Sequence, residues 1–466
     1  MANTYDFIIV GSGSGGGALS YYLNKAGAKV LLLEAGKFYR KNTFPHTEAE
    51  ASAYMYWGGG IEFDDQAKMG FLRGRLVGGS SIVFQCLLDR FDDIAINDWR
   101  SESGIDFFTR EEMDKDYDAV ESVLQLHKFT ENERNGNANL FVAACDKLGY
   151  QWKYLRRGQC DCGREQGNDC MTCLNGCHRD SKQSSMVAFV QKAEKTGLVV
   201  ESEVEISQII HNQDGVTIRG LKGLLGSKTK VEYRAPKVII SGGAFGSSQM
   251  MLRSGFKSQL PALGKKFCTH PQFMWFGFQK EYVDAHRLYF QSVASDDMNF
   301  RKEGFKLENV FSGPVSASML FTVRGADHHR FLKRYRHMQC LEVAVRDENA
   351  GELKVDNKGK LIIHKPLTDQ DIQRKNKGQH TIHNILEAAG AYEIYESQMR
   401  FGLHLMGGCT IGVDPKTSVV SPDFHVHGMK NLYICDSSLF PNAPGINPAL
   451  SIMALAHRLS TKLIPA

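Results

Sequence analysis

Five of the eleven cysteines fall within 18 positions: Cys160, Cys162, Cys170, Cys173 and Cys177. Apolar residues are scarce around them, so burial alone cannot hold the segment and something must staple it. Two and then three residues separate Cys170, Cys173 and Cys177, which sets thiolates on consecutive turns of one loop, a geometry that wraps an iron–sulfur cluster. Two close cysteine pairs also suit a tetrahedral zinc, and disulfides are the third possibility. A second centre of chemistry is His404, in Phe401-Gly-Leu-His-Leu-Met-Gly-Gly-Cys-Thr410, where glycines let ligand and backbone come close. A neutral imidazole titrates near working pH and is a natural proton acceptor. A third is Asp436, an acid at the end of the strand-like run from Asn431, followed by Ser437 and Ser438. His425, His427 and His457 read as surface or packing histidines.

The element that must position such groups is Tyr5–Gly36. Phe7 to Val10 is a continuous β-rich run, as in a strand buried on both faces. Gly11 then allows a tight turn, Gly13 lets backbone approach a diphosphate, and Gly16 lets a helix, predicted from about Gly16 to Lys25, pack on the strand. A second strand, Lys29 to Leu33, delivers Glu34 about 20 residues past the glycines, where a ribose hydroxyl is expected. This unit does not separate NAD from FAD. Gly78-Gly79-Ser80-Ser81 reads as a loop entering a helix, with free amides and hydroxyls for a phosphate or ring edge. Lys237–Ser241, followed by Gly242-Gly243, is a second strand–glycine–helix unit, with a helix at 248–253. Asn442–Pro448 is a loop feeding an amphipathic helix, 449–462.

The 466 residues exceed what one core usually supports, so two domains are expected. A net charge of +4 is too small to argue for nucleic acid or a membrane surface as a partner. There is no secretory signal and no run approaching about 18 apolar residues, which points to a cytoplasmic protein without a transmembrane segment. A helix with a Thr109–Glu112 capping box covers 109–126, and another covers 137–149. Residues 37–70 read as irregular. Between Pro271 and Met399 strand-like runs (273–278, 316–322, 339–345, 361–364) alternate with charge, as in an antiparallel sheet. The basic cluster His328–Arg336 reads as a solvated face. The fold class is α/β, α+β overall: a Rossmann-like nucleotide-binding domain from 1–270 and 400–466, with a cysteine-rich insertion at 158–180, and a substrate domain on an antiparallel sheet at 271–399.

The blocks GSGSGG (11–16) with Glu34, GRLVGGSS (74–81), GGAFGSSQMMLRSG (242–255), LGKKFCTHP (263–271), HLMGGCTIG (404–412) and NLYICDSSLFPNAPGINPALSIMALAHR (431–458), in this order, resemble the glucose–methanol–choline family of FAD-dependent oxidoreductases. The resemblance implies FAD in the glycine-rich half and oxidation of an alcohol carbon by hydride transfer to the flavin. It implies FAD contacts from Gly11, Gly13, Ser14, Gly16, Glu34, Ala35, Arg75, Gly78, Gly79, Ser80, Ser81, Val204, Gly243, Asp436, Asn447 and Pro448. It implies His404 as general base and Asn447 as the second active-site residue, orienting the hydroxyl. The segment 170–185 is similar to that of long-chain alcohol oxidases and of glucose and fructose dehydrogenases, which implies a 3Fe–4S or 4Fe–4S cluster, zinc being the rival, and an acceptor protein or quinone as electron partner. Phe84 departs from the family, which usually has Asn there, near the flavin. A non-catalytic flavin and cysteine redox module is the alternative function, and an NAD-dependent dehydrogenase a further one.

Overall fold

The computed structural model describes residues 5–163, 173–223 and 227–464. The first strand, β1 (Phe7–Val10), runs into helix α1 (Ser14–Lys25), which begins two residues earlier than its glycines suggest, and then into β2 (Val30–Leu33). Helix α2 (Arg110–Glu121) is capped by Thr109, whose hydroxyl accepts from the Glu112 amide at 3.3 Å. Next come β3 (Val199–Glu201), β4 (Lys237–Ile240) and α3 (Gly243–Arg253). The strands β5 (Pro271–Phe278), β6 (Phe305–Asn309) and β7 (Met338–Val345) follow, then the long helix α4 (Asp369–Ala388), β8 (Met429–Ile434) and α5 (Ala449–Leu463).

One sheet has the order His425–Val426, β8, β4, β1, β2, β3. Phe7 lies opposite both Val30 and Lys237, and Val238 opposite Leu432, with all of these strands parallel. The apolar strands are buried on both faces, as a parallel sheet requires. Because the strands run in parallel, their carboxyl ends share one edge. Gly11, Glu34, Ser241–Gly243 and Cys435–Asp436 therefore emerge side by side, where ligands of open parallel sheets bind.

The second sheet is built on the antiparallel strands β5, β7 and β6. It also takes in Glu62–Phe63, Gly70–Phe71, Trp152–Tyr154 and Phe401–Gly402, so it draws strands from outside 271–399. One face of it, with Phe273, Trp275, Phe305, Leu307, Leu341 and Val343, packs on Ile382, Ile385 and Leu386 of α4. Alternation turns Gln272, Lys306, Glu308 and Glu342 to the other face.

Three local expectations differ from the structure. The run 316–322 is not a strand: Pro314–Met319 is a short helix with Pro314 in its first turn. Its amides at Val315 and Ser316 donate to the Glu48 carboxylate, a cap supplied from far away in the chain. Residues 37–70 contain a helix, Glu48–Met55, capped by Thr47. The Gly78–Ser81 loop enters only one tight turn, Gly79–Ile82, not a helix. Among the described residues, no helix is long and apolar enough to cross a membrane.

Candidate active site

The glycine loop after β1 is shaped by contact. Gly11 has φ +102, and a Cβ there would lie 2.2 Å from the Ser241 carbonyl oxygen. A Cβ on Gly16 would lie 1.9 Å from the Gly11 carbonyl oxygen, so α1 reaches this close to β1 only through glycine. At Gly13 the same construction meets nothing within 4 Å. That open side faces the first turn of α1, which starts at Ser14 and carries no acidic residue. Unmatched amides and a positive helix end at an open space fit the diphosphate of a dinucleotide.

Glu34 is buried, and burial pushes its carboxyl above the usual range against the hydrogen bonds it accepts. Oε2 accepts from the Ser12 amide at 3.1 Å and the Ser12 hydroxyl at 2.7 Å, while Oε1 accepts from the Gly36 amide at 2.9 Å. Ser12 Oγ in turn accepts from the Gly78 amide at 2.9 Å, which docks the second glycine loop on the first. There Gly78 and Gly79 both have positive φ, and a Cβ on Gly79 would stand 3.0 Å from Gly13 Cα. Ser81 Oγ donates to the Gly78 carbonyl and Ser80 Oγ accepts from the Gly74 amide, so both hydroxyls shape the loop itself. The Val204 amide donates to the Glu34 carbonyl. Arg75 lies 4.6 Å over the Trp57 ring, its backbone packs against Gly36, and its buried Nε has no partner among the described residues.

Asp436 is also buried, and burial raises its carboxyl. Oδ2 accepts from the Gly243 amide at 2.8 Å and the Ser247 hydroxyl at 2.5 Å, and Oδ1 from the Ser438 amide at 2.8 Å. Its role is thus to pin the start of α3 to the end of β8. Pro448 precedes α5, whose first turn again lacks an acid and a side-chain cap. These two uncompensated helix ends, the orphan Arg75 Nε and the open side of Gly13 together fit FAD.

His404 and His270 form a pair. Their Nδ1 atoms are 2.8 Å apart, and the Gly445 amide donates to His270 Nε2 at 2.9 Å. His270 is buried, whereas His404 is half-buried. Burial, ahead of the opposing Glu308 charge and the Lys306 ammonium, lowers the His404 ring to about 4. Burial likewise holds His270 well below the usual histidine range, helped by His404, Arg301, Lys306 and Arg346. Both rings are therefore neutral at physiological pH.

Asn447 is held from the other side. Its Oδ1 accepts from Lys306 Nζ at 3.2 Å, and Lys306 pairs with Glu308 at 2.5 Å. Glu308 lies directly opposite Glu342 across β6 and β7, and Gln272 donates to Glu342 at 3.1 Å. Two buried carboxylates this close do not both ionise. Burial and the Glu308 charge push Glu342 well above the carboxylate range. For Glu308, burial is outweighed by Lys306 and the Glu342 hydrogen bond, which hold it below that range. Glu308 is the anion and Glu342 carries the proton. Removing Lys306 leaves that anion unpaired, so Lys306→Met is expected to cost about 3–5 kcal/mol at pH about 7. With its pKa then above the unfolded value, Glu308 takes up a proton on folding, so the deficit shrinks as pH falls. Urea titrations at two pH values measure this.

Each described cysteine of the segment has a hydrogen-bond neighbour. Arg157 donates to Cys173 Sγ at 2.5 Å, Cys162 Sγ lies 3.1 Å from Ser181 Oγ, and Cys160 Sγ contacts the Ser181 carbonyl at 3.3 Å. Cys177 Sγ accepts from the Lys182 amide at 3.5 Å. Among the described residues, no group of three His, Cys, Asp or Glu side chains is placed to hold a metal, so they lend no support to the iron–sulfur and zinc expectation. Cys170 lies outside the described residues.

The sequence family described as GMC oxidoreductase matches residues 5–272 with its N-terminal part and 355–456 with its C-terminal part. The chain is a GMC oxidoreductase. This GMC oxidoreductase is 25% identical to long-chain-alcohol oxidase FAO4B of Arabidopsis thaliana, over 98% of its own length and 67% of that protein's. It is 23% identical to a cholesterol oxidase of Acinetobacter baumannii, over 99% of its own length and 94% of that protein's. Its fold resembles that of pyridoxine 4-oxidase from Mesorbium loti, with a TM-score of 0.77, 16% identity and 98% of each chain covered. The GMC oxidoreductase is an enzyme acting on the CH–OH group of donors, and its family binds FAD.

Sequence reasoning gave no role to His270, Lys306, Glu308 or Glu342. One signal was available: Lys306, Glu308 and Glu342 are charges inside strand runs that are otherwise buried and largely apolar. A charge at such a position needs a partner.

Proposed function

We propose that this GMC oxidoreductase oxidises a primary or secondary alcohol whose oxygen binds between His404 and Asn447. The observation that carries this reading is the His404 ring. It is held through Nδ1, half-buried and neutral, and no described residue bonds its Nε2. The loop carrying Asn447 is tied to it by the Gly445 amide on His270. Oxidation removes a hydride from the carbinol carbon and a proton from its oxygen. Bound FAD would supply the hydride acceptor, in the cradle of Gly11, Gly13, Ser14, Gly16, Glu34, Ala35, Arg75, Gly78, Gly79, Val204, Gly243 and Pro448. Two groups can take the proton: the His404 ring, if its Nε2 is bare, and the ionised Glu308 carboxylate. No electron step is routed through the cysteines, because no three described ones form a ligand set. Iron and acid-labile sulfide assays on anaerobically purified protein test this, and stoichiometric values of both would restore the relay.

Anaerobic mixing with aliphatic, sterol, sugar and aromatic alcohols tests the proposal. Loss of the oxidised flavin band with at least one alcohol is expected, and a band that no alcohol bleaches rejects the proposal. The rate is expected to be independent of pH from about 6 to 8, and to fall only as pH approaches the His404 value of about 4, set by burial and the Lys306 ammonium against the opposing Glu308 charge. A pH series of the same stopped-flow measurement reads this.

A further inference from the structure

We infer that His270 is a positioning residue that fixes the proton of neutral His404 on Nε2, so that His404 meets the substrate oxygen as a hydrogen-bond donor. The argument follows one chain of hydrogen bonds from the backbone outward. The Gly445 N–H can only donate, so His270 Nε2, 2.9 Å away, must be the bare nitrogen of its ring. His270 is neutral, since it is buried among Arg301, Lys306 and Arg346, whose charges oppose another cation. Its one proton is then on Nδ1, and it donates to His404 Nδ1 across 2.8 Å. His404 Nδ1 is thereby an acceptor, and the proton of its neutral ring is on Nε2, the nitrogen that no described residue bonds.

Asn447 is set in the same sense. Lys306 donates to its Oδ1 at 3.2 Å, so the free end of the amide is its N–H2 group. For an alcohol oxygen bound between them, as proposed above, His404 and Asn447 are then two donors. Such a pair steadies the negative charge that grows on a carbinol oxygen as hydride leaves, in the manner of an oxyanion hole. With His404 a donor, the hydroxyl proton needs another acceptor, and we assign it to Glu308, the anion whose charge acts on the His404 ring; its protonation leaves two neutral carboxyl groups beside the Lys306 ammonium.

This inference rests on the alcohol site proposed above, but its test does not depend on turnover. Holoenzyme carrying FAD and 15N-labelled histidine reports the protonated ring nitrogen of His404 by NMR, with His404→Gln assigning the signals. Nε2–H is expected, and a bare Nε2 overturns the inference outright. His270→Asp offers only acceptors, so the His404 proton is expected to move to Nδ1 and flavin reduction to fall on the order of 100-fold. A new ascending limb is expected in the pH profile as the added carboxylate raises the ring. His270→Gln, whose amide both donates and accepts, is expected to stay within about tenfold of the parent. An unchanged tautomer in His270→Asp rejects the positioning role. Should that variant not fold, the parent spectrum alone decides. An Nε2–H tautomer in a protein that no alcohol reduces rejects the alcohol reading and leaves the role of His270 standing.

Discussion

His404→Ala is expected to slow flavin reduction by alcohol at least ~100-fold while leaving FAD bound. The ring lies at the meeting point of the two halves of the fold. His270, at the edge of β5, holds it on one side, and the loop before α5 holds His270 in turn. Neither contact belongs to the glycine cradle, so cofactor binding and reduction should separate cleanly. His404→Gln keeps an N–H donor and should lose less than His404→Ala. Glu308→Gln should lose as much as His404→Ala, because its carboxylate is the remaining acceptor for the hydroxyl proton. Stopped-flow bleaching of the flavin under anaerobic conditions reads all three. A His404→Ala protein that holds FAD and reduces at the parent rate removes this histidine from the reaction, and an undiminished Glu308→Gln returns the proton to another acceptor.

Gly13→Asp is expected to give a folded, colourless protein. A Cβ at Gly13 meets nothing within 4 Å, and the residue has φ −62, so the backbone tolerates a side chain. The added carboxylate occupies the space that fits the diphosphate and repels it. FAD affinity should fall at least ~100-fold, about 2.7 kcal/mol. Gly16→Ala is expected to act through packing and not through charge. Its single methyl would sit 1.9 Å from the Gly11 carbonyl, forcing α1 off β1 and lowering stability by roughly 1–3 kcal/mol. Isothermal titration with FAD and thermal unfolding of the two variants distinguish a blocked cradle from a broken one. Tight FAD binding by Gly13→Asp would place the diphosphate elsewhere.

The parts of this fold that the sequence reveals are those set by short-range rules. β1, α1 and β2 follow from an apolar run, glycines and a helix stop. α2 follows from Thr109 and Glu112, and α5 from its amphipathic spacing. The helix Glu48–Met55 also carried a local sign, Thr47 three residues before Glu50, that glycine and aromatic residues nearby obscured. What the sequence hides is set by distant partners. Pro314–Met319 is helical because Glu48 reaches its first amides. Asp436 resembles a ligand contact in sequence, but both its oxygens hold α3 and the turn after β8. His270 sits within a recognisable block, yet its role exists only because β5 brings it against His404 and the Gly445 amide. The charges of β6 and β7 become a coupled carboxyl pair only through cross-strand register.

That β4 lies between β1 and β8 sets an order on how the enzyme comes into being. A ribosome releases β1 more than two hundred residues before β4 and about four hundred before β8. During that interval the glycine loop has neither the Ser241 carbonyl against it nor the Cys435 carbonyl beneath α1. Contacts so far apart in sequence form slowly, so the nascent chain keeps β1 unpaired on one side until β4 emerges about midway, and β4 unpaired on one side until β8 emerges near the end. Flavin uptake is accordingly a late event, and abundance in cells should respond to riboflavin supply.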